Sequence, residues 1–374
     1  MKVTMVDLVV QYQQIKEEID EAIHSVLDSG HFVFGKTNGE FEKRFAEYHG
    51  VKHALGCASG TDALQLSMMA LGLEKGDEII SVPMTFVATV EVMVLLGLRP
   101  VFVDIDPKTY CIDPGQIESK ITGKTKAIVP VHLYGQSADM DPIMDIAAKH
   151  GLFVIEDCAQ AIGATYKGRK TCTMANAGCI SFFPGKNLGA YGDAGAVLTD
   201  DDDLAERIIK VRNHGSENKY DHKYLGVNSR LDAIQAAVLG VKLKYIDTWN
   251  EMRRNNGARY TELLSGLENV VCPYTAPENT HTYHQYTIQV EDRDGLREFL
   301  SEKEIATGLH YPIPLHLQPA YKYLGYGEGD FPVSERASRS VLSLPMYPEL
   351  PRGHQDYVVE QIQAYYRIHE QAMV

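Results

Sequence analysis

Cysteine is scarce, with six residues in a chain of 374. That density excludes a small disulfide-stapled scaffold. The nearest pair, Cys172 and Cys179, lacks a Cys-x-x-Cys spacing, so both read as hydrophobic filling rather than as redox or metal ligands, and no metal site is expected. Long apolar runs are also missing. Charge or proline interrupts every one well short of the roughly 18 residues that a membrane span needs. Met1–Gln11 carries Lys2 and Asp7 among short apolar runs and has no secretory pattern, which points to a cytoplasmic protein without a membrane partner. Positive charge is the minority sign, 36 Lys+Arg against 50 Asp+Glu, for a formal net charge of −14. No local basic stripe offsets it, so a nucleic-acid groove is not expected. A small buried anion site remains compatible with that charge. With 44% hydrophobic residues, the chain can bury a substantial core plus a second, smaller unit.

Residues 1–250 read as an α/β unit of short β-branched runs alternating with helical patterns. Strands are expected at Glu78–Val82, Pro100–Val103, Ala127–Val131, Phe153–Glu156, Cys179–Phe183 and Gly195–Leu198. Helices are expected at Asp62–Leu71, Phe86–Leu95, Met140–His150 and Leu204–Asn213. Asp113-Pro114 forms a helix-start signal, and Asp200–Asp203 reads as a solvated turn and helix N-terminus. A long amphipathic pattern from Ser229 to about Leu264 leads into a unit spanning 251–374, with a strand at Tyr283–Val290 and a helix at Gly295–Glu304.

Three segments carry chemistry. In ‘GCASGTDALQL’, Ser59, Gly60 and Thr61 precede a helical pattern, so unpaired N–H groups could face an anion, or simply be capped by Ser59. In ‘ISFFPGKNLGAYGDAGAVL’ a strand gives way to Pro184, Gly185 and Lys186, with glycines at 189, 192 and 195. That turn brings backbone close to a ligand and aims one lysine, a better covalent-catalysis candidate than the other lysines. It lacks the glycine spacing and the Ser/Thr of a phosphate-binding nucleotidase loop. In ‘FVIEDCAQAIG’ an apolar strand ends at Glu156 and Asp157, the end of the strand at which α/β folds place their chemistry. Asp157 either holds a protonated heterocyclic nitrogen, with Gln160 on a polar substituent of the same ring, or caps the next helix.

Together these segments closely resemble the nucleotide-sugar aminotransferases, a branch of the fold-type-I pyridoxal-phosphate enzymes. The shared elements are ‘ASGTDAL’ (58–64), ‘PMTFVAT’ (83–89), ‘VDIDPKTY’ (103–110), ‘VHLYGQSADM’ (131–140), ‘IEDCAQAIGA’ (155–164), ‘SFFPGKNLGAYGDAG’ (181–195), ‘VNSRLDAIQAAVL’ (227–239) and ‘HYPIPLHLQPAY’ (310–321). They keep their order over about residues 5–350. The resemblance implies a three-layer large domain around a mixed, mostly parallel seven-stranded sheet, assigned to residues 1–250. A smaller C-terminal α/β domain, 251–374, would contribute to the substrate site. It makes Lys186 the lysine that binds the cofactor covalently, with Asp157 at the pyridine nitrogen and Gln160 near the ring's phenolic oxygen. Phe86 would stack on the ring, Gly60, Thr61 and Ser181 would cradle the phosphate, and Asn228 would reach the phosphate from a second subunit. A homodimer with shared sites follows. Relatives that replace the lysine by histidine dehydrate instead, and this chain keeps Lys186.

The implied activity is transfer of the amino group of L-glutamate, through pyridoxal and pyridoxamine phosphate, to a nucleotide-linked keto-sugar. ‘GLHYPIPLHLQPAY’ is most similar to members that aminate a 3-keto-hexose, carried as a dTDP-6-deoxyhexose or a UDP-N-acetylhexuronate. A 4-keto sugar is the alternative. Arg230, His310 and Tyr311 are candidates for a sugar or glutamate carboxylate and His316 for a sugar hydroxyl, or the histidines merely support the Pro312–Pro314 turn. A nicotinamide dehydrogenase is disfavoured because Gly325, Gly327 and Gly329 lack the dinucleotide spacing and a βαβ context. A non-catalytic regulator that binds the cofactor on the same fold is the other alternative.

Overall fold

The computed structural model describes residues 1–218 and 220–372. Its centre is a seven-stranded sheet built from β1 (His53–Cys57), β2 (Glu78–Ser81), β3 (Arg99–Phe102), β4 (Thr125–Ile128), β5 (Phe153–Asp157), β6 (Ala177–Ser181) and β7 (Gly195–Thr199). The spatial order is β1-β7-β6-β5-β4-β2-β3. β7 pairs antiparallel with both β1 and β6, while the other pairs are parallel. The expected mixed, mostly parallel sheet is therefore present.

Period-two alternation distributes the strand side chains between two cores. Ile80, Ile128 and Val154 enter one face, and Ile79, Ala127 and Ile155 enter the other. All six are buried. The Gly60–Ala70 helix packs Ala63, Leu64, Leu66 and Met68 onto the second face. The Met140–His150 helix packs Met140, Ile143 and Ala147 onto the first, giving three layers. Each large aliphatic side chain removed from water contributes about 1.5–3 kcal/mol, so the two faces together hold the sheet edges that carry the site.

Several element ends differ from the sequence-based expectation for local reasons. β4 stops at Ile128 rather than Val131, because Pro130 cannot donate a ladder hydrogen bond. The helix expected from Phe86 starts at Ala88, leaving Phe86 in the turn after β2. Asp201 caps the Asp202–Val211 helix through Leu204 N (3.0 Å), two residues before the expected start. The amphipathic pattern after Ser229 forms two helices, Ala233–Lys242 and Ile246–Leu264, with a break between them.

The C-terminal unit is a three-stranded antiparallel sheet in which Tyr286–Val290 lies between Val270–Val271 and Val341–Leu344. Its core gathers Tyr260, Tyr286, Ile288, Leu296, Leu342, Val358 and Ile362, and Val3 from the opposite end of the sequence joins it. Residue 250 lies within the Ile246–Leu264 helix. Cys172 does not sit as free filling beside Cys179. It is bonded to Cys158, with the two Cα atoms 6.0 Å apart, because the turn after β5 folds back along β6. Among the described residues no helix is long and apolar enough to cross a membrane.

Candidate active site

Parallel strands deliver their carboxyl ends to one edge of the sheet, where the following loops form a crevice. Cys57 of β1, Ser181 of β6 and Gly195 of the reversed β7 lie side by side at that edge. Asp157 ends β5. A cavity of about 610 Å³ opens there, and its lining includes Gly60, Thr61, Phe86, Asp157, Gln160, Ser181, Lys186, His310 and Tyr311. Nine residues chosen from sequence thus share one space, and its volume suits a small organic ligand.

One end of the cavity is a backbone anion cradle. Ser59 caps the 11-residue Gly60–Ala70 helix, its hydroxyl accepting from Asp62 N at 3.0 Å. Ala63 N donates to Ser59 O. The N–H groups of Gly60 and Thr61 have no protein acceptor among the described residues, at the positive end of the helix dipole. Glycine is required here by close approach. A Cβ on Gly60 would lie 2.6 Å from Ser181 Cβ, and one on Gly195 would lie 2.2 Å from Ser59 O. Ser181 is thereby held beside the helix start.

Asp157 marks the other end. It is 5% exposed. Its Oδ1 accepts from Ala159 N (3.1 Å) and its Oδ2 from Thr89 Oγ1 (2.8 Å). The cavity position is present and the helix-capping reading is not: the Ala159 N contact closes a local turn, and the next helix begins only at Asp202. Strand alternation sends Glu156 the opposite way, where it accepts from Cys172 N, Met174 N and Ala175 N and pairs with His132 Nε2 at 2.9 Å. His132, Glu156 and Cys158 form a compact buried group, but Ala138 N donates to the second imidazole nitrogen and the Cys158 sulfur is bonded. The group is a satisfied core network.

Lys186 lies in the tight turn after β6, where its backbone N–H donates to Phe183 O (2.8 Å). Its ammonium has no hydrogen-bond partner among the described residues. Burial pulls its pKa from 10.5 down to about 8, and the negative charge of Asp157 opposes that fall. A lysine in this range carries a sizeable neutral fraction near physiological pH, which nucleophilic and acid–base work both need. Gln160 is held at both ends, its Oε1 accepting from Tyr134 N (2.8 Å) and its Nε2 donating to Tyr311 Oη (3.0 Å). Phe86 is 54% exposed toward the opening, its ring centroid 6.0 Å from that of Tyr311.

Three expected residues lie elsewhere. His316 is buried, with Nε2 3.1 Å from Glu335 Oε1 and its ring against Phe331. That placement gives it no contact with the cavity and makes it a support for the Pro-rich segment. Asn228 and Arg230 are outside the lining as well. Asn228 bridges to Asn213, and the Arg230 guanidinium sits 5.9 Å from the Phe34 ring. Phe34, next to Arg230, and its neighbours Phe32 and Val33 are all more than 40% exposed. Sequence reasoning missed His284, Asp193, Thr85 and Thr89. ‘PMTFVAT’ contains both threonines and ‘SFFPGKNLGAYGDAG’ contains Asp193, while His284 lies in none of the shared segments.

An unpaired helix terminus, an amine of depressed basicity, a buried carboxylate and an aromatic lid fit a phosphorylated, protonatable aromatic ring. The chain matches the DegT/DnrJ/EryC1/StrS aminotransferase family over residues 13–363. It is 50% identical over 369 residues to a “Pleiotropic regulatory protein” of Geobacillus stearothermophilus, covering 98% of this chain and 99% of that protein. It is 44% identical over 348 residues to the UDP-2-acetamido-2-deoxy-3-oxo-D-glucuronate aminotransferase of Pseudomonas aeruginosa, covering 93% and 96%. With the dTDP-3-amino-3,4,6-trideoxy-alpha-D-glucose transaminase of Streptomyces venezuelae it shares 43% over 361 residues, covering 96% and 95%. Among solved structures, S. venezuelae DesV in complex with a ketimine intermediate superposes with a TM-score of 0.95 at 43% identity, covering 97% of this chain and 98% of that one. NtdA of Bacillus subtilis with bound PMP superposes with a TM-score of 0.90 at 34% identity, covering 97% and 85%.

Proposed function

Since this chain belongs to the DegT/DnrJ/EryC1/StrS aminotransferase family, we propose that it moves the amino group of L-glutamate, by way of pyridoxal phosphate, to C3 of a nucleotide-linked 3-keto-hexose. The observation that carries this reading is Lys186. Its amine is held near a pKa of about 8, inside the cavity that also contains Asp157 and the Gly60–Thr61 cradle.

Each residue has a role that its own chemistry supports. The N–H groups of Gly60 and Thr61, with the hydroxyls of Thr61 and Ser181, bind the phosphate without any net-positive surface. Asp157 keeps a proton on the ring nitrogen, and Phe86 covers one ring face. Gln160 offers an amide edge fixed by Tyr134. When bound, pyridoxal phosphate supplies the carbonyl that stores the amino group and a ring that draws electron density from the carbon losing its proton. Lys186 takes that proton on Nζ and returns it to the neighbouring carbon. A positioned base of this kind contributes about 10²–10⁴-fold to rate. His310 and Tyr311 line the substrate side.

The 3-position is favoured because both named sugar-modifying relatives act at C3. For the carrier, we propose a dTDP-linked 6-deoxy sugar. Among the described residues Lys186 is the only Lys or Arg in the lining, and burial lowers His310 to about 4, so it is neutral at working pH. Within one chain's lining a sugar C6 carboxylate therefore has no cationic partner, so a hexuronate would have to rely on the Arg230 that a second copy brings for L-glutamate. We further propose a cytoplasmic homodimer in which the edge bearing Asn228, Arg230 and exposed Phe32–Phe34 faces a second copy. Asn228 then completes the phosphate site and Arg230 meets the carboxylates of L-glutamate.

The test preloads the enzyme with L-glutamate, removes free amino acid, and offers dTDP-linked 3-keto and 4-keto 6-deoxyhexoses and a UDP-linked 3-keto-hexuronate. Mass spectrometry of the sugars should show amination of the dTDP-3-keto compound first. Preference for the hexuronate overturns the carrier, and amination of the 4-keto sugar alone overturns the ring position. The 50% identical relative carries a regulatory name. Cofactor binding with neither glutamate conversion nor transfer to any sugar would favour that second reading, a non-catalytic regulator.

A further inference from the structure

We infer that Met5 and Val6 are specificity-determining residues, an apolar wall that selects a sugar deoxygenated at C6 over one that carries a hydroxyl there. The inference rests on the proposed nucleotide-sugar substrate and names what reads one edge of it. Both residues line the cavity that also holds Lys186, Asp157 and His310. They reach it from the start of the chain, ahead of residue 13, where the family match begins. The wall therefore comes from outside the matched block, whereas Lys186, Asp157, Gly60 and Thr61 come from inside it.

The backbone fixes where these side chains stand. Val3 N donates to Glu304 O and Ala306 N to Val3 O, both at 2.9 Å. This parallel bridge to Ile305 starts the segment in the direction of Gly308, with Val3 itself buried in the C-terminal core. Met346 N donates to Met5 O at 3.2 Å. Asp7 then caps the Leu8–Gln14 helix, its Oδ1 accepting from Val9 N (3.1 Å) and Val10 N (3.0 Å). Ties on both sides thus hold a short strap, and the Met5 and Val6 side chains make none of those bonds. Gly308 lines the cavity too, and a Cβ on it would lie 2.5 Å from His310 Cε1. That position offers no side chain, which leaves the strap to supply apolar surface beside it. The cavity, at about 610 Å³, has room for the cofactor and one sugar ring, so the sugar rather than its nucleotide meets the walls near Lys186. Valine has no hydrogen-bonding group and the methionine thioether is a weak acceptor. A sugar hydroxyl pressed against them gives up water for no new partner, whereas a methyl in the same place gains by burial.

The experiment titrates the full chain, loaded with pyridoxal phosphate, with dTDP-6-deoxyglucose and with dTDP-glucose by calorimetry. The two ligands differ by one hydroxyl at C6, and neither can be aminated because neither has a keto carbon. The parent protein should bind the 6-deoxy compound about tenfold more tightly, the scale on which an apolar site rejects an added hydroxyl. Met5→Gln and Val6→Thr keep volume but add hydrogen-bonding groups, and together they should bring the two dissociation constants within about threefold of each other. Met5→Leu keeps the wall apolar at nearly the same volume and should retain most of the preference. The backbone ties are untouched in each case and neither position is buried, so melting curves should stay close to the parent. If the double variant does not fold, Val6→Thr alone should still narrow the ratio. A parent that binds both ligands equally, or neither, would overturn the proposal. So would a ratio unmoved by the polar substitutions, an equal loss of affinity for both ligands, or a Met5→Leu chain as impaired as Met5→Gln. No amino transfer is read here, so any of these failures leaves the aminotransferase reading standing, and that reading fails separately if L-glutamate is not converted.

Discussion

Replacing Gly60 by Ala tests the anion cradle through sterics alone. The added methyl would sit 2.6 Å from Ser181 Cβ, 3.0 Å from Ser181 Cα and 3.2 Å from Ser181 Oγ. Relief needs a shift of about 1 Å to reach ordinary carbon contact distances. Alanine is the better helix former, so propensity alone predicts a gain of up to about 1 kcal/mol. Overpacking against a strand end costs about 1–3 kcal/mol, and this outweighs the gain because Ser181 belongs to the centre of the sheet. If the helix start moves away from Ser181, the penalty falls on cofactor affinity, about 5- to 150-fold. Equilibrium dialysis with pyridoxal phosphate, alongside thermal unfolding of the cofactor-free protein, separates lost affinity from lost stability. Ser181→Gly in the Gly60→Ala background removes the two side-chain contacts, leaving the 3.0 Å approach to the Cα, and should restore part of the lost melting temperature, with coupling of about 0.5–3 kcal/mol between the two sites. Affinity should recover only partly, because the Ser181 hydroxyl is gone. Parent-like binding and melting in Gly60→Ala alone would refute the close approach, as would a double variant no more stable than the single.

Asp157→Asn removes a fixed negative charge but keeps shape, so cofactor should still bind while single-turnover amino transfer falls by about 10²-fold or more. A parent-like rate would place another group at the ring nitrogen. Mixing Lys186→Ala chains with Asn228→Ala chains should restore activity above both parents after subunit exchange, since one of the two shared sites then carries neither defect; activity that stays at the parental levels would argue for sites built within one chain. A third expectation concerns pH. Lys242 is fully buried, its Nζ donating to Gly189 O (2.7 Å) in the Lys186 turn, and burial lowers it from 10.5 to about 8. The unfolded chain then binds more protons between pH 8 and 10.5, so this residue's contribution to stability rises with pH across that window and is smallest below it. Denaturant melts of the parent minus Lys242→Met should grow by up to about 3 kcal/mol between pH 7.5 and 10. A flat difference would mean that Lys242 titrates normally.

Much of this site was legible because its elements are short-range. A strand that ends in Asp157, a glycine-flanked Lys186 and a Ser-Gly-Thr helix start each announce themselves within a dozen residues, and parallel topology brings strand ends together. Most sheet elements were legible for the same reason, but the edge strand His53–Cys57 was not foreseen, and the strands expected at Cys179–Phe183 and Tyr283–Val290 lie at Ala177–Ser181 and Tyr286–Val290. Long-range packing was not legible. His284 meets Asn187 across 97 positions, and Gln160 meets Tyr311 across 151. No periodicity encodes such contacts. The Cys158–Cys172 pairing depended on how the segment after β5 returns along β6, and the nearer pair in sequence, Cys172 and Cys179, was the wrong one to compare. His316 carried a plausible polar side chain in the right segment, yet Glu335 and Phe331 bury it.

Covalent attachment of the cofactor through Lys186 can be trapped directly. Purified protein loaded with pyridoxal phosphate and reduced with borohydride should carry one stable pyridoxyl group, located by peptide mapping. The label is expected on Lys186, in the peptide containing ‘FFPGKNLGAYG’, and on no lysine of a Lys186→Ala chain that is folded by its melting curve. A label on any other lysine, or no label on a folded parent protein, would contradict it.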